Sequence, residues 1–308
     1  MSSHGDRRRR ARALRLRLAA LLVLGAGLIA FGTAGGGGSG AQPLDASRFA
    51  AGACEAFAPT VGNRHLTVFL DAGHGGRDPG AVGVTASGRQ VLEADETLRV
   101  ALDTLPLLRA DGYRVVLSRT RDSTVLRLAP DDVSGGELTL LGAHDDVVAR
   151  DVCANLAGAS VLVGIYFDAS SLPQTAGSLA AYDNARPFTA ANQRIATLLE
   201  RDVLAALNAH GWQIPDDGVD PDEGLGSISG SPAAGGLAAQ AQAYDHLVLL
   251  GPAEPGYLTT PSEMPGAIIE PLYITDPFEG TIANSRAGQE AIAHGIAQAV
   301  RQFLSTSR

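Results

Sequence analysis

HLTVFLDAGHGGRDPGAVG, His65 to Gly83, is the stretch that decides the fold. It opens as an apolar run of strand length and breaks into a glycine turn that presents a single histidine, His74. A strand that ends on a small-residue turn before a helix predicts the C-terminal edge of an α/β sheet, where such domains place their ligands. Glycines 73, 75 and 76 let the backbone bend tightly and are expected to keep bulk away from the imidazole, leaving it free to bind a metal. The GK[ST] ending of a P-loop and the spaced glycines of a dinucleotide fingerprint are absent, so the turn does not read as a phosphate cradle.

Downstream, short apolar runs alternate with helical periodicities. Leu98, Leu102, Leu105 and Leu108 fall at helical spacing, with Pro106 expected to kink or disturb the helix. Strands are predicted over Tyr113–Arg119, Val161–Phe167, His246–Leu250 and Ala267–Glu270, with a short edge strand over Gly177–Tyr182. Helices are predicted over 140–157, over 190–210 with Ile195, Leu199 and Val203 on one face, and over 286–304 with Ile292, Ile296, Val300 and Phe303 inward. Residues 215–243, rich in Gly, Ser, Pro and Asp, read as a surface loop. No internal repeat or second folding unit is visible, so 61–308 is expected to form one α/β domain.

The N-terminus has a different grammar. Seven arginines lie between Arg7 and Arg17, followed by an uncharged apolar run from Leu18 to Ala34. That pattern predicts export, through a signal peptide or an uncleaved anchor within 1–34, because the run is short for a span and interrupted by glycine. Residues 35–60 read as a flexible linker and lead-in that begins with a glycine-rich stretch. The chain contains no lysine, and beyond residue 34 it carries 17 arginines against 32 acids. So acidic a domain is not a nucleic-acid binder, since that affinity rests on basic contacts to phosphate. Cys54 and Cys153 both lie in the part predicted to be exported and are expected to pair.

Four further strings carry chemistry. VLEADETLRVAL (Val91–Leu102) places Glu93 and Glu96 at a helix start, where the dipole alone would favour acids. LSRTRD and RDVCANLAGAS contribute Arg119, Arg150 and Asn155. GIYFDAS (Gly164–Ser170) ends a strand with Tyr166, and MPGAIIEPLYITDPFEG (Met264–Gly280) ends another with Glu270.

In this order the strings resemble the amidase 3 family, zinc enzymes that cleave N-acetylmuramic acid from L-alanine in peptidoglycan, over most of residues 65–305. The resemblance implies a single three-layer α/β domain with a mixed, mostly parallel sheet flanked by helices. It implies one zinc ion with His74 and Glu93 as ligands; Glu96 competes, but the family's leucine five residues beyond its glutamate coincides with Leu98. Where the family has its third ligand, a histidine, this chain has Tyr166. Tyrosine could coordinate as a phenolate or hold a metal-bound water, or another histidine, His144 or His246, could replace it, although neither stands at a family ligand position. Glu270 matches the family's catalytic glutamate, a general base toward metal-bound water and then an acid toward the departing amine. Pro271 replaces the family's glycine and alters the site wall. The implied function is muramoyl-L-alanine amide hydrolysis on peptidoglycan or muropeptides outside the cytoplasm, with membrane contact only through the N-terminal segment. The alternative is a catalytically impaired amidase-fold protein that binds peptidoglycan or regulates wall hydrolysis.

Overall fold

The computed structural model describes residues 40–223, 225 and 236–305, so the predicted export segment lies outside the described residues. In chain order the elements are β1 (Gln42–Pro43), β2 (Ala53–Phe57), β3 (Thr67–Ala72), β4 (Val82–Val84), β5 (Gln90–Leu92), α1 (Glu93–Ala110) and β6 (Arg114–Arg119). Then come β7 (Val133–Ser134), β8 (Glu137–Leu138), α2 (Leu140–Leu156), β9 (Val161–Ile165), β10 (Ser178–Tyr182), α3 (Thr189–Asn208) and β11 (Asp216–Pro221). The chain closes with α4 (Gly236–Tyr244), β12 (Gly266–Glu270), α5 (Pro277–Ala283) and α6 (Arg286–Ser305).

Eight strands form one sheet in the order β1-β2-β6-β3-β9-β12-β10-β11. The central four, β6-β3-β9-β12, are parallel, and β10 runs antiparallel to β12. Successive residues of β3 alternate between two cores. Val68, Leu70 and Ala72 face α1, α3 and α6, meeting Leu108, Leu199, Ile292 and Ile296. Phe69 faces α2, together with Val116, Leu162, Ala149 and Cys153. Both faces are covered, which is why the central strands read as continuous apolar runs. The result is the three-layer, mostly parallel architecture expected.

Several expectations are corrected. Pro106 lies inside α1, which continues to Ala110, so the proline does not end the helix although it supplies no N–H to the carbonyl of Leu102. The lead-in is not wholly outside the domain, because β2 pairs with β6 and Cys54 is disulfide-bonded to Cys153 on α2. Ser178–Tyr182 is no edge strand: β11, in the stretch expected to be a loop, pairs beside it and takes the edge. Polar, half-exposed DDGVDP gave no strand periodicity, and backbone pairing decided its state. His246–Leu250 forms turns rather than a strand, the single Leu247 carbonyl accepting from the amides of both Leu250 and Gly251.

Candidate active site

The parallel strands β3, β9 and β12 end at one edge of the sheet, and the motif residues collect there. His74 follows β3 with φ of 59°, a left-handed conformation that a non-glycine residue adopts only when its surroundings hold it. Here two buried arginines hold it. Arg119 donates to the carbonyls of Ala72 and Gly73 and, across to α1, of Ala94. Arg150 donates to the carbonyls of Ala72 and His74 and to the carboxylates of Asp71 and Asp146. Asn155, the third residue of that set, fastens the approach to β12, donating to Pro261 and accepting from the Glu263 amide.

The imidazole is fixed at both nitrogens. Asp78 Oδ2 stands 2.7 Å from Nδ1, and Glu93 Oε1 stands 3.2 Å from Nε2. A carboxylate on one nitrogen selects the tautomer and turns the other nitrogen toward its target. Burial would lower the His74 pKa, but the Glu93 carboxylate and then the Asp78 contact outweigh it and raise the imidazole to about 10. Asp78 shows the reciprocal effect: burial opposes it, yet His74 draws it down to about 2. Glu93 begins α1, with Oε2 accepting from the Ala81 amide and Oε1 from the Phe167 amide. These bonds aim the carboxylate from two loops at once. The Nε2 and Oε1 atoms are spaced as two donors to one cation would be. Glu96 points elsewhere, to Asn284 and Gln289 between α1 and α6.

The expected role of the glycines also shifts. A Cβ on Gly80 would come within 2.7 Å of both the His74 ring and Glu93 Oε2, so Gly80 is the residue that leaves room for the pair. A Cβ on Gly73 would come within 2.5 Å of the Tyr166 ring.

Tyr166 does not join the donors. Its ring meets His74 edge-on with centroids 5.5 Å apart, and its hydroxyl donates to Asp71 Oδ2 at 2.8 Å. Asp71 is wholly buried and spends its other oxygen on Arg150, at 2.6 Å, so the phenol O–H completes that carboxylate. Burial and then Asp71 push the phenol pKa well above its ordinary value, away from phenolate. In this arrangement the Tyr166 hydroxyl faces the core rather than the His74–Glu93 pair, and meets a buried carboxylate that would be costly to leave unsatisfied. His144 does not stand beside the pair either; it pairs with Asp145 and packs at a tilt against Tyr257. His246 does not either; it faces Asp183 and Asp222.

Glu270 ends β12 half-buried at this same edge. Burial, then the carboxylates of Asp168 and Glu93, raise its pKa well above the ordinary value, against the pull of His74. A carboxyl so poised can both accept and return a proton. Sequence reasoning missed Asp71, Asp78 and Asp168. Asp78 had a usable signal, four residues beyond His74 in the same turn; Asp71 and Asp168 had none.

Residues 68–302 match the family model Amidase_3, described as N-acetylmuramoyl-L-alanine amidase. Among relatives, the chain is 24% identical over 249 residues to the N-acetylmuramoyl-L-alanine amidase AmiC of Neisseria meningitidis serogroup B, covering 79% of this chain and 54% of that protein. The chain thus spans about half the length of that relative. It is 22% identical to the germination-specific N-acetylmuramoyl-L-alanine amidase of Bacillus subtilis, covering 77% of this chain and 79% of that one. Among solved structures, the fold is similar to AmiC2 of Nostoc punctiforme, with TM-score 0.53, 20% identity, and coverage of 79% of this chain and 99% of that one. It is also similar to the CwlD amidase of Clostridioides difficile, solved with the GerS lipoprotein, with TM-score 0.56, 18% identity, and coverage of 79% and 100%.

Proposed function

Because this chain belongs to the Amidase_3 family of N-acetylmuramoyl-L-alanine amidases, we propose that it hydrolyses the amide between N-acetylmuramic acid and L-alanine in peptidoglycan or muropeptides. The observation that carries this reading is the pairing of His74 Nε2 with Glu93 Oε1, 3.2 Å apart, at the sheet edge where Glu270 also ends its strand. The donor set fits a zinc ion in two of its three protein positions. The third, Tyr166, does not fit, because its hydroxyl is committed to Asp71.

The division of labour follows from the side chains. Glu93, held by the Ala81 and Phe167 amides, keeps its Oε1 beside His74 Nε2. Asp78 keeps the Nδ1 side of the ring occupied, so Nε2 is the nitrogen left to bind. Zinc, when bound, supplies positive charge that polarises the amide carbonyl and draws Glu270 toward its ionised form. Glu270 takes the proton of the attacking water and returns it to the L-alanine nitrogen as the C–N bond breaks. Placement outside the cytoplasm is supported by the arginine-rich, then apolar N-terminus and by the Cys54–Cys153 disulfide, a bond of oxidising compartments. Membrane contact, on this reading, is limited to that N-terminus.

The test measures metal content and muramoyl-alanine cleavage for the wild type, Tyr166→His and Glu270→Ala. Wild type should hold metal and cleave, and Glu270→Ala should hold metal without cleaving. A metal-free, inactive wild type whose Tyr166→His variant gains both would replace this reading with that of a peptidoglycan-binding or regulatory protein on an amidase scaffold.

A further inference from the structure

We propose that Asp183, Asp222 and His246 form a second, structural divalent-cation site, of the transition-metal class that takes one imidazole and two carboxylates, at the sheet edge opposite His74. β10 runs antiparallel to β12, and β11 runs parallel to β10. Asp183 and Asp222, which follow these two strands, therefore lie at the edge where β12 begins, away from Glu270. His246 arrives from the turn after α4.

Each acid has one oxygen fixed by backbone and one left facing the centre. Asp183 Oδ1 accepts from the amides of Ala185 and Arg186, and Asp222 Oδ2 accepts from the amide of Leu247. The remaining oxygens converge on one nitrogen: His246 Nδ1 is 3.1 Å from Asp183 Oδ2 and 3.2 Å from Asp222 Oδ1. All three donor atoms lie within 4.8 Å of one another. Donors around a tetrahedral zinc-type ion stand about 3.3 Å apart, since each is about 2.0 to 2.2 Å from the metal.

A hydrogen-bonded Asp–His–Asp cluster would have similar spacings, so the distances need a second observation. The Nδ1–H can serve only one acceptor well, and it is aligned on Asp222 Oδ1. Asp183 Oδ2 then receives no hydrogen bond, although the side chain is fully buried and aimed at the cluster. Nearby, Asp151 is also fully buried with neither oxygen hydrogen-bonded, and it adds to the negative field that Asp183 and Asp222 exert on Tyr244. Against these three buried carboxylates stand Arg186, whose own N–H groups are directed to the carbonyls of Gly251 and Ser262, and, toward Asp151, Arg150, whose N–H groups are directed to Asp71, Asp146 and the carbonyls of Ala72 and His74. Burial raises the pKa of all three acids, so their charge has to be met by a proton or by a cation, and only a cation can use the inner oxygens of Asp183 and Asp222 together with the His246 nitrogen. The backbone amides on the outer oxygens are the kind of second layer that orients metal ligands. An imidazole with two carboxylates suits zinc, manganese or cobalt better than magnesium or calcium, which prefer all-oxygen shells. By joining the ends of β10 and β11 to the turn after α4, the ion would pin the edge strand and the helix behind it.

The test uses the protein carrying His74→Ala and Glu93→Ala, which removes the family site, so its outcome does not depend on amidase activity. After chelation and dialysis, this variant should take up one equivalent of Zn2+, give the absorption of a low-symmetry site when loaded with Co2+, and gain about 5 °C in Tm at Zn2+ a hundredfold above its Kd. His246→Gln on this background should lose all three, as should Asp183→Asn combined with Asp222→Asn. In the otherwise wild-type chain, His246→Gln should lower the Zn2+ content by one equivalent and abolish the low-symmetry Co2+ absorption, a readout that needs no multiple variant to fold. No uptake by the His74→Ala, Glu93→Ala protein would overturn the proposal. So would uptake that survives His246→Gln.

Discussion

The two ends of the sheet make opposite use of the same side-chain types. At the C-terminal edge of β3, β9 and β12, the residues of a family motif are in place, yet the third position, Tyr166, turns its hydroxyl to Asp71. At the other edge no motif announces anything, and an imidazole and two carboxylates converge. The difference is one of satisfaction. Asp71 holds both oxygens in bonds, to Arg150 and to Tyr166, so the first edge is closed beneath the turn. Asp183 keeps one buried oxygen without a hydrogen bond, so the second edge is left with an unmet acceptor. Motif identity and coordinating capacity are therefore separate properties of a site.

The largest expected effect lies at the first edge. Glu270→Gln should lower muramoyl-alanine cleavage by about 10²- to 10⁴-fold, the usual contribution of a general acid–base group, while leaving the metal content of both edges intact. Cleavage by liquid chromatography beside elemental analysis checks this, and an active variant would remove Glu270 from the chemistry.

Loss of the disulfide comes next. Cys54 and Cys153 are 99 residues apart, and α2 also carries Arg150 and Asp146, which brace the His74 turn. The Cys54→Ser, Cys153→Ser protein should lose about 4 kcal/mol of stability in urea melts, toward the upper end for such a loop. Protection of amide hydrogens should fall near His74 more than near His246; a uniform loss would show that α2 does not support the first edge selectively.

A smaller effect is expected from Tyr166→His. It should tighten Zn2+ binding at the His74 edge at least about tenfold and leave the His246 edge unchanged, by calorimetric titration of each site in the absence of the other. Stability should fall by about 1 to 3 kcal/mol as Asp71 loses its phenol partner. Unchanged affinity would mean that the turn, and not the missing donor, limits binding.

The smallest effect is a pH dependence in metal-free protein. The folded pKa of His74, about 10, lies above the ordinary 6.5, so its contribution is fully present below pH 6.5 and is lost as pH rises through 10. Melting temperatures from pH 6 to 10 should fall more steeply for the wild type than for His74→Gln. Equal slopes would show that Glu93 and Asp78 do not hold the proton on the ring.

Much of this could be read directly from the chain. The β3 run and the spacing of Ile292, Ile296, Val300 and Phe303 in α6 report burial through local pattern, because a core strand or helix face repeats its apolar residues at fixed intervals, whereas of the leucines expected inward in α1 only Leu105 and Leu108 are buried and Leu102 is exposed. β11 escaped, since an edge strand of DDGVDP exists by pairing its backbone with β10 and has no apolar period. His246–Leu250 misled for the converse reason: its apolar residues are buried in turns. Within the site, Glu93 could be told from Glu96 by its spacing to Leu98, whereas Asp168 reaches Glu270 only across strands.

What the sequence by itself determined is the α/β domain, its family and the candidate residues His74, Glu93 and Glu270, because strand-turn-helix patterns and motif spacings are local along the chain. Only the tertiary structure decided where the Tyr166 hydroxyl points and that Asp183, Asp222 and His246 meet. A buried polar atom takes the partner that folding brings within hydrogen-bonding distance, and the partners here lie 95, 63 and 24 residues away in sequence.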